Sequence, residues 1–130
     1  MGQRRLGNWL WEAPAVLALA VLGGAYLGPH HAAIRVTQGD PAAGRAVMRA
    51  YGCASCHTIP GVPGARATVG PPLTHLARRS VLAGLLANNP RNLERWIENP
   101  HAILAATDMP DMGVTPRDAR NIAAYLYTLH

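Results

Sequence analysis

The chain has 130 residues, with 49% apolar side chains, 15% charged ones, two cysteines and no phenylalanine. That composition excludes a disordered protein, a core built on large aromatics and a disulfide scaffold, and a small core of this kind usually needs some other staple. The net charge of +5 comes from Arg alone, with no Lys, and splits into +2 for residues 1–38 and +3 for residues 39–130. That is too little, without a basic stripe interleaved with aromatics, to support a nucleic-acid partner.

Arg4 and Arg5 precede Trp9-Leu10-Trp11 and Glu12, after which Ala13 to Gly28 carries no charge. A bilayer needs about 20 residues, and the stretch from Trp9 to Gly28 supplies them, with indoles at one interface, Tyr26 near the other and Pro14 near the start. A cleaved signal peptide uses the same residues, with Gly23-Gly24-Ala25 near a cleavage point. The run is long for such a segment and no Ala-x-Ala follows, which favours an uncleaved anchor. Arg4-Arg5 lacks the rest of a twin-arginine signal. The positive-inside rule puts Met1 to Arg5 in the cytoplasm and everything after Pro29 across the membrane. The expected organisation is an anchor at 1–28, a linker at 29–38 and a globular domain at 39–130. His30-His31 reads as an exposed linker pair rather than a metal site.

Asp40-Pro41 is a helix start, with Asp40 as N-cap and Pro41 at the first position; Gly44, Val47 and Tyr51 follow at helical spacing and lead to Gly52-Cys53. Residues 58–72 hold three glycines and four prolines and form a loop. Short helices are expected at 73–79 and, capped by Ser80, at 81–87. Asn89-Pro90 opens a helix that ends at Asn99-Pro100, and a second loop covers 101–114. Thr115-Pro116 opens the last helix, whose stripe is Ala119, Ile122, Ala123, Leu126 and Leu129. The fold class is all-α, with two long loops that no sheet holds.

Cys53-Ala54-Ser55-Cys56-His57 is the haem c attachment pattern: both thiols add to haem vinyl groups, and the next residue brings its imidazole to the iron. A zinc site lacks further spaced ligands, although His75 and His101 exist. A thioredoxin-like dithiol normally follows a strand, and this pair follows a helix. A haem that only transfers electrons needs a sixth ligand, and methionine is the soft ligand that raises potential. Met48 is five residues before Cys53 and cannot reach the far side of the macrocycle. Met109 and Met112 remain, and spacing alone separates neither from the other nor from plain packing.

From Gly39 to Leu129 the chain resembles a class I c-type cytochrome. The matching residues are Gly44-Arg-Ala-Val47, Tyr51-Gly52-Cys53, Cys56-His57, Gly70-Pro71-Pro72-Leu73, Trp96-Ile97 with Asn99-Pro100, Thr107-Asp108-Met109-Pro110, and Ile122-Ala-Ala-Tyr125-Leu126. The segments 70–76 and 92–100 look most like the cytochrome c domain fused to subunit II of some haem-copper oxidases. The resemblance implies one covalent haem c on Cys53 and Cys56, with iron held by His57 and by Met109 in preference to Met112. It further implies that the Pro71 carbonyl accepts from the second nitrogen of His57, that Leu73 lines the pocket and that Trp96 bonds a propionate. Gly44 would let the first helix pack on the last near Tyr125. Departing from the lysine-rich docking ring of the soluble carriers, this chain has no Lys; Arg78, Arg79, Arg91 and Arg95 are its only local basic grouping, a helix face or a docking patch.

The expected protein is a membrane-anchored monohaem electron carrier, not an enzyme in itself, with its haem domain on the periplasmic side of a bacterial inner membrane. Expected partners are a membrane respiratory complex with haem-copper oxidase subunits, other redox proteins, and the bilayer through the N-terminal helix. A tethered shuttle, a haem enzyme or gas sensor with an open sixth position, and a thiol redox module are the competing readings.

Overall fold

The computed structural model describes residues 33–34 and 36–130. The anchor expected over 1–28 lies outside them; among the described residues no helix is long and apolar enough to cross a membrane. Within the stretch expected as linker, residues 33–34 and 36–37 are helical, with the Thr37 hydroxyl donating to the Ala33 carbonyl at 2.8 Å.

Three helices carry the domain, and each begins at a side-chain cap followed by proline. Helix α1, Pro41–Ala50, is capped by Asp40, whose Oδ1 accepts from the Ala42 and Ala43 amides at 2.8 and 3.3 Å. Helix α2, Pro90–Glu98, is capped by Asn89, which accepts from the Asn92 amide at 2.9 Å. Helix α3, Pro116–Leu126, is capped by Thr115, which accepts from the Asp118 amide at 3.2 Å. The proline gives up an amide that has no intrahelical partner at that position, and the cap satisfies one that would otherwise be orphaned.

Helix α3 is the spine of the core, with Ala119, Ile122, Ala123 and Leu126 all at 3% exposure or less. Burying each Ile or Leu contributes roughly 1.5–3 kcal/mol. Helices α1 and α2 both pack on α3. The α1 crossing is close because residue 44 is glycine: a Cβ there would run into the backbone carbonyl of Asn121. The expected position of this contact, near Tyr125, is corrected by one turn. Tyr125 instead reaches the first loop, its hydroxyl donating to the Pro60 carbonyl at 2.5 Å.

The segment between the first loop and α2 also differs from expectation. In place of a helix at 73–79 there is a single 3-10 turn, Leu76–Arg78. In place of a helix at 81–87 there is a small antiparallel hairpin of β1, Val81–Leu82, and β2, Leu86–Ala87, in register Leu82 to Leu86. Its turn is closed by the Leu85 amide on the Leu82 carbonyl at 3.0 Å, with Ala83 and Gly84 both at positive φ, 49° and 75°. Two consecutive left-handed residues end any helix. The domain is all-α as expected, with this two-residue-stranded hairpin as a local exception.

Candidate functional site

Gly52, at φ 72°, turns the chain off the end of α1 into a short 3-10 helix, Cys53–Ser55. The Cys53 carbonyl accepts from the amides of Cys56 and His57 at 3.3 and 3.0 Å. This turn presents both sulfurs and the imidazole to one cavity of about 370 Å³. The cavity is also lined by Pro71, Leu73, Trp96, Met109 and Met112, so the residues expected to hold or line a haem meet there. Its apolar wall comes from the core residues Met48, Leu82, Leu93, Ile97, Ile122 and Leu126.

His57 is held from the loop. The Gly70 amide donates to the Cys56 carbonyl and the Leu73 amide to the Thr58 carbonyl, both at 2.8 Å. Between these two bonds, the Pro71 carbonyl lies 2.7 Å from His57 Nδ1. A carbonyl only accepts, so Nδ1 carries the proton and Nε2 keeps its lone pair. The imidazole lies close enough to Gly70 that a Cβ there would overlap its Cε1.

The two methionines differ in their surroundings. Met109 is half-buried, and its amide donates to Thr107 Oγ1 at 3.2 Å. Met112 is 38% exposed, and its Cε lies 3.3 Å from where a Cβ on Gly52 would stand, beside the cysteine turn. Met48, at 1% exposure, is part of the wall. The spare histidines are both on the surface, and His101 pairs with Asp111 at 3.2 Å.

The surroundings of the two cysteines bear on the competing readings. Cys53 and Cys56 are not joined to one another. Burial pushes the Cys53 thiol up, with the Cys56 sulfur adding in the same sense against a backbone hydrogen bond, the opposite of what a reactive dithiol needs. Among the described residues no group of three or more His, Cys, Asp or Glu is placed to hold a metal ion.

One residue of the site, Arg79, and one that braces it, Asn88, were not visible as such in the sequence. Arg79 was grouped with Arg78, Arg91 and Arg95; those three are exposed, but Arg79 lines the cavity and turns its guanidinium onto the carbonyls of Pro72 and Thr74. Asn88 spans the 3-10 turn, Arg79 and the chain's last helical turn through its carboxamide. Its one sequence signal is that Asn89 alone suffices as the α2 cap, which leaves the first asparagine of the pair without a task.

The donor set fits a covalently attached haem: two cysteines one 3-10 turn apart, an imidazole with Nε2 uncommitted, a thioether on the same cavity and apolar walls around them. The comparison with known families agrees. The cytochrome c family model matches residues 41–130, and the chain belongs to that family of electron-transfer proteins. Membership implies covalently bound haem c, for which Cys53 and Cys56 are the cysteines present. The chain is also similar to cytochrome c oxidase subunit 2 of Alkalihalophilus pseudofirmus, with 36% identity over 87 residues, covering 66% of this chain and 25% of that protein. It thus spans about a quarter of that relative's length. No solved structure matches the chain significantly.

Proposed function

We propose that this chain carries single electrons as a monohaem c-type cytochrome, tethered to a bacterial inner membrane by residues 1–28, with its haem domain on the periplasmic side. The observation that carries the electron-transfer part is the joining of Cys53, Cys56, His57 and Met109 on one apolar cavity, with His57 Nδ1 committed to Pro71. Haem c bound there supplies a one-electron Fe(III)/Fe(II) couple.

The residues of the chain do the rest. Cys53 and Cys56 hold the group through thioether bonds, and His57 offers Nε2 to the iron while Pro71 fixes its tautomer. Met109, half-buried on the cavity, would supply the iron's other protein ligand, since Met112 is exposed. Leu73 and the core residues would exclude water, and Trp96, whose indole N–H only donates, would bond a propionate. One electron enters and one leaves; no substrate is converted.

The charge asymmetry of residues 1–28 supports the anchor and its orientation. One spanning helix provides no path for electrons across a bilayer, so they move laterally between partners on one side, at the high effective concentration a short linker gives. Similarity to a cytochrome c oxidase subunit 2 supports a haem-copper oxidase as the electron acceptor, either as a complex containing this chain or as its docking partner. Solubilising native membranes in mild detergent and isolating the haem-staining band tests this. Co-purifying oxidase subunits are expected; recovery of the chain alone, with oxidase present in the same membranes, contradicts the subunit arrangement and leaves the tethered shuttle.

A further inference from the structure

The segment that holds His57 has an unusual weakness. Pro71 and Pro72 have no amide N–H, so the main chain cannot pin the middle of that segment with donors of its own. The bonds from Gly70 and Leu73 fix its ends. The middle is held from outside by the Arg79 guanidinium, which donates to the Pro72 carbonyl and, at 3.0 Å, to the Thr74 carbonyl.

Arg79 is in turn held by Asn88. The Asn88 carboxamide donates to the carbonyls of Leu76 and Arg79, each at 2.8 Å, and its Oδ1 accepts from the Tyr127 hydroxyl at 2.7 Å. Two carbonyls can only accept, so the orientation of the amide is fixed, with both of its N–H donors committed and its oxygen held by Tyr127. Burial, reinforced by nearby Glu94, pushes the Tyr127 phenol up to about 12, so its hydroxyl stays a donor at physiological pH. Asn88 itself is not on the cavity wall.

We propose that Asn88 is a positioning residue for the iron ligand: acting through Arg79, it sets the Pro71 carbonyl against His57 Nδ1 and so tunes how strongly the imidazole donates to the iron. This rests on the haem reading of the site given above. A firmer bond at Nδ1 makes Nε2 more basic and favours the oxidised iron; loosening it raises the potential.

The test uses the haem-loaded full chain and reads two quantities, the midpoint potential and the exchange rate of the His57 Nδ1 proton by NMR. Asn88→Ala is expected to raise the potential and to speed that exchange about tenfold or more. Tyr127→Phe, which removes only the hydroxyl that orients Asn88, moves both in the same direction by less, and it decides the matter alone if Asn88→Ala does not fold. Asn121→Ala, which removes the acceptor of the Asp40 amide far from this chain of bonds, lowers stability and moves neither. Variants at 88 and 127 that lose stability but keep the wild-type potential and exchange rate would overturn the proposal. A wild-type chain that takes up no haem overturns the function proposed above, a result distinct from either.

Discussion

His57 Nδ1 and the carbonyl oxygen of Pro71 lie 2.7 Å apart, across 14 residues of a loop rich in proline and glycine. The sequence places those residues in a loop with nothing to hold it; the structure holds it by this bond and its two backbone neighbours, by the Tyr125 hydroxyl on Pro60 and by the Arg79 guanidinium on Pro72. Gly70 is the residue that allows the approach. Gly70→Ala puts a methyl group into the imidazole, and a cost of about 1–3 kcal/mol is expected from such overpacking. Thermal unfolding of the haem-loaded variant measures it, and the low-spin spectrum should weaken with it.

The crossing of α1 and α3 depends on Gly44 in the same way. In an isolated helix Gly44→Ala would be favourable by about 1 kcal/mol. Here the new Cβ meets the Asn121 carbonyl, which is backbone and cannot swing away. The expected result is a net loss of stability of about 1–3 kcal/mol, read from urea unfolding; a more stable variant would show that the helices separate freely.

Tyr51, at the end of α1, donates to Asp118 Oδ2 at 2.8 Å at the start of α3. This bond is the main cause of an Asp118 carboxyl held below its ordinary value of 3.8, with Thr115 and Arg117 assisting and desolvation opposing. A folded value below the unfolded one gives stability that is present above about pH 3.8 and lost as pH falls through the folded value. Tyr51→Phe should therefore narrow the acid side of the stability profile and bring the Asp118 titration, followed by NMR, back towards 3.8. An unchanged titration would show that the hydroxyl does not hold the carboxylate.

The two methionines should separate cleanly. Met109→Ala is expected to open a coordination position, so that the reduced protein binds carbon monoxide, whereas Met112→Ala should leave the spectrum as it was. The reverse pattern would make Met112 the ligand and would require its side chain to leave Gly52.

Much of this architecture is legible in the sequence because the signals are local. Asp40, Asn89 and Thr115 each precede a proline, and each caps a helix where that pairing predicts. The cysteine turn with its adjacent histidine is local as well. The hairpin at 81–87 is not legible: Val81-Leu-Ala-Gly-Leu-Leu-Ala87 is apolar throughout, so periodicity does not separate helix from strand, and its turn uses Ala83 at positive φ where Asn or Asp is the usual mark. Arg79 looks like one basic residue among four, and only the fold shows that its guanidinium turns inward. Asn88 has partners 12, 9 and 39 residues away, distances at which no periodicity speaks.

The central claim is that this chain holds a haem with both axial positions filled by its own residues. The visible spectrum of the purified, reduced protein before and after carbon monoxide tests it most directly. The account predicts a low-spin c-type spectrum that carbon monoxide leaves unchanged. A spectrum that shifts on adding the gas would mean an open or labile sixth position, contradicting the electron-carrier reading and turning the search to ligand binding or catalysis.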